Sequence, residues 1–200
     1  MAIVMGIDIG QKRERSAICV VQTENREIEG RREVHFTVPH LERLPIGLSF
    51  PEIADRAAEV CLGVERRVGE APRVFVDATG LGSPVVDLFV ERIIGVRTVT
   101  PVYFNHGDQK VEFGTPWNPA VKLGKAFLVN RLQALLQTGR LHLSKSEDSI
   151  TLAQELRDFE IEVDEKANER QGAFRVGSRD ELVTALGLAV FQDPVGPGIY

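Results

Sequence analysis

Cysteine is nearly absent: Cys19 and Cys61 are the only two in 200 residues. At 42 positions apart they make neither a metal knuckle nor a disulfide framework, so a reducing compartment is expected. No apolar run approaches the roughly 18 residues that would cross a bilayer. The N-terminal run Ala2 to Met5 is cut short by Asp8, so no signal peptide is expected. A Gly-x-x-x-x-Gly-Lys-Ser/Thr loop is missing, which excludes the P-loop class. Ser83 follows a glycine without a Gly-x-Ser-x-Gly elbow, which speaks against a serine hydrolase. His40, His106 and His142 lack metal-ligand spacing. Aromatic residues do not interleave with basic ones, and Trp117 is expected to pack rather than to stack on a base. Positive charge is in deficit, with 24 Lys+Arg against 29 Asp+Glu and a formal net charge of -5. That balance argues against a chain that simply coats nucleic acid.

What is present suits a folded domain. Hydrophobic residues make up 43% and charged residues 26%, enough for a core and too evenly signed for a disordered chain. The charges fall in blocks. Phe113 to Ser146 holds no acid but carries Lys122, Lys125, Arg131, Arg140 and Lys145, whereas Glu147 to Glu169 holds nine acids against Arg157 and Lys166. Such blocks are either solvated faces or a basic strip masked by acidic surface elsewhere, which would hide a local polyanion site from the whole-chain sum.

Periodicity predicts strands at Ile3 to Gly10, Ser16 to Thr23 and Val34 to Val38, the last ending at Pro39, linked tightly enough for an antiparallel meander. Ser49 with Glu52 three residues on, and Pro51 in the first turn, opens a helix that Gly69 and Pro72 stop. A strand at Arg73 to Ala78, a helix at Ser83 to Ile94, a strand at Val96 to Phe104 and a short arm at Lys110 to Phe113 follow. A long helix is predicted from Asn118 to about Gln137. Then come an extended piece at Arg140 to Leu143, a helix at about Ser149 to Phe159, strands at Ile161 to Val163 and Gly172 to Val176, and a last helix at Arg179 to Phe191. Residues 1–191 are expected to form one α/β domain with a mixed sheet and helices on both faces, and 192–200 a loose tail.

Three acidic positions stand out. Asp8 lies in a strand of Ile, Val, Met and Gly, where a carboxylate must be paired, hydrogen-bonded or metal-bound. Asp77 repeats this at the end of the next core strand, before Ala78-Thr79-Gly80-Leu81-Gly82. Asp180 and Glu181 open the last helix, where an acid also favours the helix dipole. Carboxylates gathered from strand ends and a helix start suit Mg²⁺ or Mn²⁺ through oxygen ligands, and a two-metal centre implies in-line phosphodiester hydrolysis. A rival reading sees Gly6-Ile7-Asp8-Ile9-Gly10 and Asp77 to Gly82 as the phosphate loops of an actin-like or sugar-kinase ATPase. That class needs two such subdomains and far more chain.

Read as an ordered set, several segments resemble the C-terminal nuclease domain of the tailed-phage terminase large subunit. They are Gly6 to Gly10, Val76 to Gly82, Lys125 with Leu128 to Leu132, Leu135 to Leu141, Glu155 to Phe159 and Ser178 to Ala189. The resemblance implies an RNase H-like fold: a central mixed five-stranded sheet, its first three strands an antiparallel meander, with helices on both faces and small extra β elements. It implies that Asp8, Asp77 and Asp180 hold two divalent cations, Mg²⁺ or Mn²⁺, with Glu181 as ligand or auxiliary and Lys125 close to the metals. It further implies cleavage of double-stranded DNA with little sequence preference, in a host-cell cytoplasm. The partners implied are an ATPase motor, a small terminase subunit and a portal. Arg179 stands where the family often has His, and Asp180-Glu181 stands for a typical Asp-Asp. Lys122, Arg131, Arg140 and Lys145 are candidate DNA-backbone contacts. Asp108 is read as a turn residue and Cys19 as core packing. Alternatives are a Holliday-junction resolvase or transposase-like nuclease of the same fold, and a catalytically silent interaction module.

Overall fold

In the computed structural model, residues 1–10, 14–93, 99–105, 107–167 and 180–192 are described. The segments predicted at Gly172 to Val176 and in the C-terminal tail from residue 193, together with Arg179 and His106, lie outside them. The chain orders as β1 (Ala2–Asp8), β2 (Ala17–Ile28), β3 (Arg31–Arg43), α1 (Phe50–Val68), β4 (Arg73–Asp77), α2 (Ser83–Ile93) and β5 (Val99–Asn105). It continues with β6 (Lys110–Thr115), β7 (Asn118–Gly124), α3 (Lys125–Gln137), β8 (Leu141–Leu143), α4 (Glu147–Ala167) and α5 (Glu181–Val190).

One sheet of order β6-β7-β5-β4-β1-β2-β3-β8 organises the fold. Its centre is the expected five strands: β1, β2 and β3 form the antiparallel meander, and β4 and β5 add in parallel beyond β1. β7 and β6 extend one edge as a hairpin, and β8 pairs in parallel with β3 at the other. Alternate residues of the central strands feed two apolar clusters. One holds Met5, Ile7, Val74 and Val76 against α1 and α2; the other holds Val4, Phe36, Phe75 and Val102 against α3, α4 and α5. Cys19 and Cys61 are free, buried and split between the two clusters. No helix among the described residues is long and apolar enough to cross a membrane.

Local signals carried much of this. Ser49 and Glu52 close a reciprocal capping box at α1, and Gly69 ends that helix at φ 78. Four expectations are corrected. β3 runs through Pro39 rather than stopping there, because the pairing with β2 slips between Val20 and Gln22 and leaves no ladder bond for the missing N–H of Pro39. Asn118–Gly124 is a strand, not the start of the long helix. It is bonded on both sides, by β5 and β6, and its Gly124 lies so close to Gly107 that a Cβ would stand 2.2 Å from the Gly107 carbonyl oxygen. Ile161 to Val163 lies inside α4, since no glycine or proline interrupts Glu147–Ala167 and helix propagation outweighs a three-residue β preference. Trp117 does not pack: it is 93% exposed at the β6–β7 turn.

Candidate active site

Asp8 ends β1 and Asp77 ends β4. The two strands are parallel neighbours with Ile7 opposite Val76, so both carboxylates emerge side by side at one end of the sheet. Side-chain alternation puts Asp8 on the face of Val4 and Gly6, and Asp77 on the face of Phe75, which is the face that α5 covers. Gly6 makes this possible. A Cβ there would stand 2.1 Å from the carbonyl oxygen of Ala185 and 2.8 Å from the amide nitrogen of Ala189, so α5 rests directly on the β1 backbone. Gly187, on the other side of the helix, admits the Leu128 side chain of α3 in the same way. The start of α5 is thereby brought toward Asp8.

The carboxylates press on one another. Burial pushes the Asp8 carboxyl well above the usual carboxylate range. The negative charges of Asp77, Asp180 and Glu181 add to the shift, and Lys125 opposes it. Asp77 is raised by burial as well, but is held down by hydrogen bonds from Thr79, by Lys125 and by a hydrogen bond with Asp8. Ionisation of Asp8 is therefore opposed both by its burial and by the charge of Asp77 beside it. Thr79 fixes the Asp77 carboxylate: its backbone N–H donates to Oδ1 at 2.8 Å, while its hydroxyl accepts the Phe104 N–H at 2.8 Å and ties the turn to β5. Lys125 is the first residue of α3, a poor place for a cation with respect to the helix dipole; the carboxylates it faces offset that, and its Nζ lies 5.6 Å from the Phe104 ring centroid.

The start of α5 shows two residues that sequence reasoning missed. Asp180 occupies the N-cap position, yet its side chain caps nothing. Glu155 of α4 does so instead. Its Oε2 accepts the backbone N–H groups of Leu182 at 3.1 Å and Val183 at 3.3 Å, and its Oε1 accepts from Arg43. Arg43, the last residue of β3, also places its Nε 3.0 Å from Glu181 Oε1, as an ion pair rather than an aligned hydrogen bond. Glu155 is only 5% exposed and Glu181 7%. The cap thus comes from another helix rather than from the Asp180 side chain. The available signal was an acid at position 155 between the inward-facing Leu152 and Leu156 of an otherwise polar helix.

Asp8, Asp77, Asp180, Glu181 and Lys125 are thus electrostatic neighbours. The other candidates lie elsewhere. Lys122 is on β7, with its Nζ 5.4 Å from the Phe113 ring centroid, and Lys145 is exposed in the turn before α4. Arg131 and Arg140 flank Phe36 on β3, far from the acids. His40 is 3.1 Å from Glu42, His142 stacks on His35, and Asp108 is exposed in the loop before β6.

The donor set fits a hard divalent cation: oxygen ligands only, and more buried negative charge than Lys125 neutralises. Among the described residues, no group of three or more His, Cys, Asp or Glu side chains is spaced to hold a metal ion. The acids form a crowded pair with further acids at its rim.

No family model and no curated protein matches the chain. Among solved structures, the human cytomegalovirus terminase nuclease domain, Mn soaked, superposes with a TM-score of 0.55 at 14% identity, covering 94% of this chain and 81% of that one. Its Mn-soaked, inhibitor-bound form superposes equally well at 13% identity, with the same coverage. A Thermus thermophilus RuvC structure aligns over 94% of this chain and 91% of its own at 18% identity, with a TM-score of 0.38. The mixed sheet with its antiparallel first strands and flanking helices is an RNase H-like fold.

Proposed function

We propose that this protein is a metal-dependent endonuclease that hydrolyses double-stranded DNA with little sequence preference, as the nuclease of a phage terminase does during genome packaging. The observation that carries this reading is the pair of buried carboxyls, Asp8 and Asp77, at the ends of adjoining parallel strands, beneath a helix start that Glu155 caps and Asp180 opens. The buried excess of negative charge calls for a cation, and the fold is one that supports a nuclease.

In this reading Asp8, Asp77 and Asp180 hold Mg²⁺ or Mn²⁺, which when bound supply an activated water and neutralise charge on the leaving oxygen. The chain's own residues do the positioning. Thr79 orients Asp77, Arg43 and Glu155 hold the first turn of α5 in place, and Lys125 presents a positive charge toward a phosphate brought to the acids. Loading of the site requires Asp8 to release its proton, so cleavage rises with pH through the raised Asp8 titration. The partners in this reading are duplex DNA and, in a packaging machine, an ATPase motor, a small terminase subunit and a portal.

Plasmid nicking tests the proposal. Supercoiled DNA is converted in Mn²⁺ or Mg²⁺ and not in EDTA, and Asp8→Asn and Asp77→Asn each lose the activity. Unchanged nicking in either variant refutes it.

A further inference from the structure

At the other end of the sheet, an open cleft of about 620 Å³ is lined by Arg32, Glu33, Val34, Arg131, Thr138 and Arg140. Two of its guanidinium groups are held by the main chain. Arg140 donates its Nε–H to the Val34 carbonyl at 2.7 Å, and Arg131 donates its own to the Val190 carbonyl at 3.1 Å. Both lie against the Phe36 ring, at 5.4 Å for Arg131 and 5.9 Å for Arg140. Anchoring through Nε fixes each fork, so little side-chain entropy remains to be lost when a ligand engages the outer nitrogens. Arg32 is exposed, and neither it nor Arg140 is ion-paired among the described residues. Glu33 is the one acid in the lining, so the arginines outnumber it.

We propose that this cleft binds the phosphodiester backbone of duplex DNA, at a point distinct from the carboxylates. The proposal extends the nuclease reading and takes its substrate from it. The cleft suits backbone rather than bases. Phosphate matches the bidentate fork of arginine, whereas the one aromatic ring beneath the guanidiniums, Phe36, is fully buried and offers no face for stacking. Its position suits the same duplex. Phe36 and Phe75 share the sheet face from which Asp8 and Asp77 project. The register aligns Asp8 with Ala17 and Arg43, and Ala2 with Thr23 and Phe36. Six strand residues at about 3.3 Å each separate the two levels by roughly 20 Å. Phosphates advance about 3.4 Å along the axis per base pair of one strand, so the cleft meets the backbone about six base pairs from the phosphate at the acids.

The test is duplex binding in EDTA, where no cleavage interferes. Anisotropy of a duplex of about 20 base pairs is measured from about 50 to about 200 mM salt for wild type, Arg32→Ala, Arg140→Lys and Arg66→Ala. Among the described residues the exposed Arg32 side chain makes no hydrogen bond or ion pair, so its variant folds. Its log–log salt slope is expected to shrink by about 0.9, the loss of one phosphate contact. Arg140→Lys keeps a charge but not the fork, so affinity falls several-fold at little change in slope. Arg66 lies exposed on α1 across the sheet, and its removal leaves the slope as in wild type. An unaltered slope in Arg32→Ala overturns the proposal. So does an equal loss in Arg66→Ala, which would reflect net charge alone. Displacement of the duplex by inorganic phosphate at constant ionic strength, abolished by Arg32→Ala, would make the ligand a small anion and likewise reject it. The two readings fail separately: nicking that depends on Asp8 with no Arg32 effect leaves the nuclease without this cleft. An Arg32 effect without metal-dependent nicking leaves the cleft without the nuclease.

Discussion

Gly6→Ala adds one methyl group to the strand that carries Asp8. The new Cβ meets the Ala185 carbonyl oxygen at 2.1 Å, the Ala189 nitrogen at 2.8 Å and the Leu188 Cβ at 2.9 Å, against an ordinary contact range of 3.4–4 Å. Two of these three neighbours are helix backbone, which cannot swing aside as a flexible side chain would. Nor can the helix retreat easily, because every residue of α5 is buried and Gly187 is already pressed against Leu128. Overpacking a rigid core costs about 1–3 kcal/mol, and a contact of this severity belongs at or above the upper end. Relief by displacement moves α5 by about 1 Å, and with it Asp180; misplacement on that scale lowers a positioned reaction about 100-fold. Urea denaturation reads the first effect. Metal-dependent nicking, at a temperature where circular dichroism shows the variant folded, reads the second. A Gly6→Ala protein within about 0.5 kcal/mol of wild type, where ordinary surface changes fall, would refute the claim that α5 rests on the β1 backbone.

Three further outcomes follow from the same contacts. Glu155→Gln removes the charge that caps α5 and faces Arg43, and should destabilise the fold by about 1–3 kcal/mol, seen as a lower urea midpoint. The same variant should weaken Mn²⁺ binding by calorimetry, which a purely structural loss remote from Asp180 would leave intact. Asp8→Asn should raise the melting temperature of the metal-free protein at neutral pH. The folded Asp8 carboxyl is raised above its unfolded value, so its contribution is most favourable at low pH and is lost as pH rises through the folded pKa, a loss the amide does not suffer. His35 has the opposite consequence. Burial and the charges of Arg26, His142 and Arg140 hold its pKa below the ordinary imidazole value, with Glu33 opposing. The unfolded chain therefore takes up a proton below about pH 6.5 that the folded chain resists, so stability is complete above that value and is lost as pH falls through it. Replacing His35 with Gln should flatten the acid limb of the denaturation profile.

How far the candidate site was legible depended on which forces set each part. Asp8 and Asp77 stood out because an acid at the end of an apolar strand is costly wherever the strand goes. That they stand side by side follows from the parallel pairing of β1 with β4, two segments more than sixty residues apart in sequence. Asp180 read equally well as a dipole-favoured first-turn acid. It is the Glu155 carboxylate, arriving from α4, that satisfies the helix start in its place. Lys125 was read near the start of a helix expected from Asn118; that helix begins with Lys125 itself, because Asn118–Gly124 is drawn into the sheet by partners on both edges. The acid-free basic block looked like one continuous strip. Folding divides it: Lys125 goes to the acids, Arg131 and Arg140 to the far cleft, and Lys122 to an edge hairpin.

The sequence by itself determined the elements whose signals are local. These are the apolar strands with terminal aspartates, the Ser49–Glu52 capping box and Gly69 stop of α1, the antiparallel meander from short links, and the burial of Cys19. Near neighbours along the chain are enough to set each of these. Only the tertiary structure decided that α5 lies on Gly6, that Arg43 and Glu155 hold its first turn, that Trp117 faces solvent, and that Arg32, Arg131 and Arg140 line one cleft. Each of those depends on close approach between residues far apart in sequence. Such contacts are set by which surfaces pack, and local periodicity does not record them.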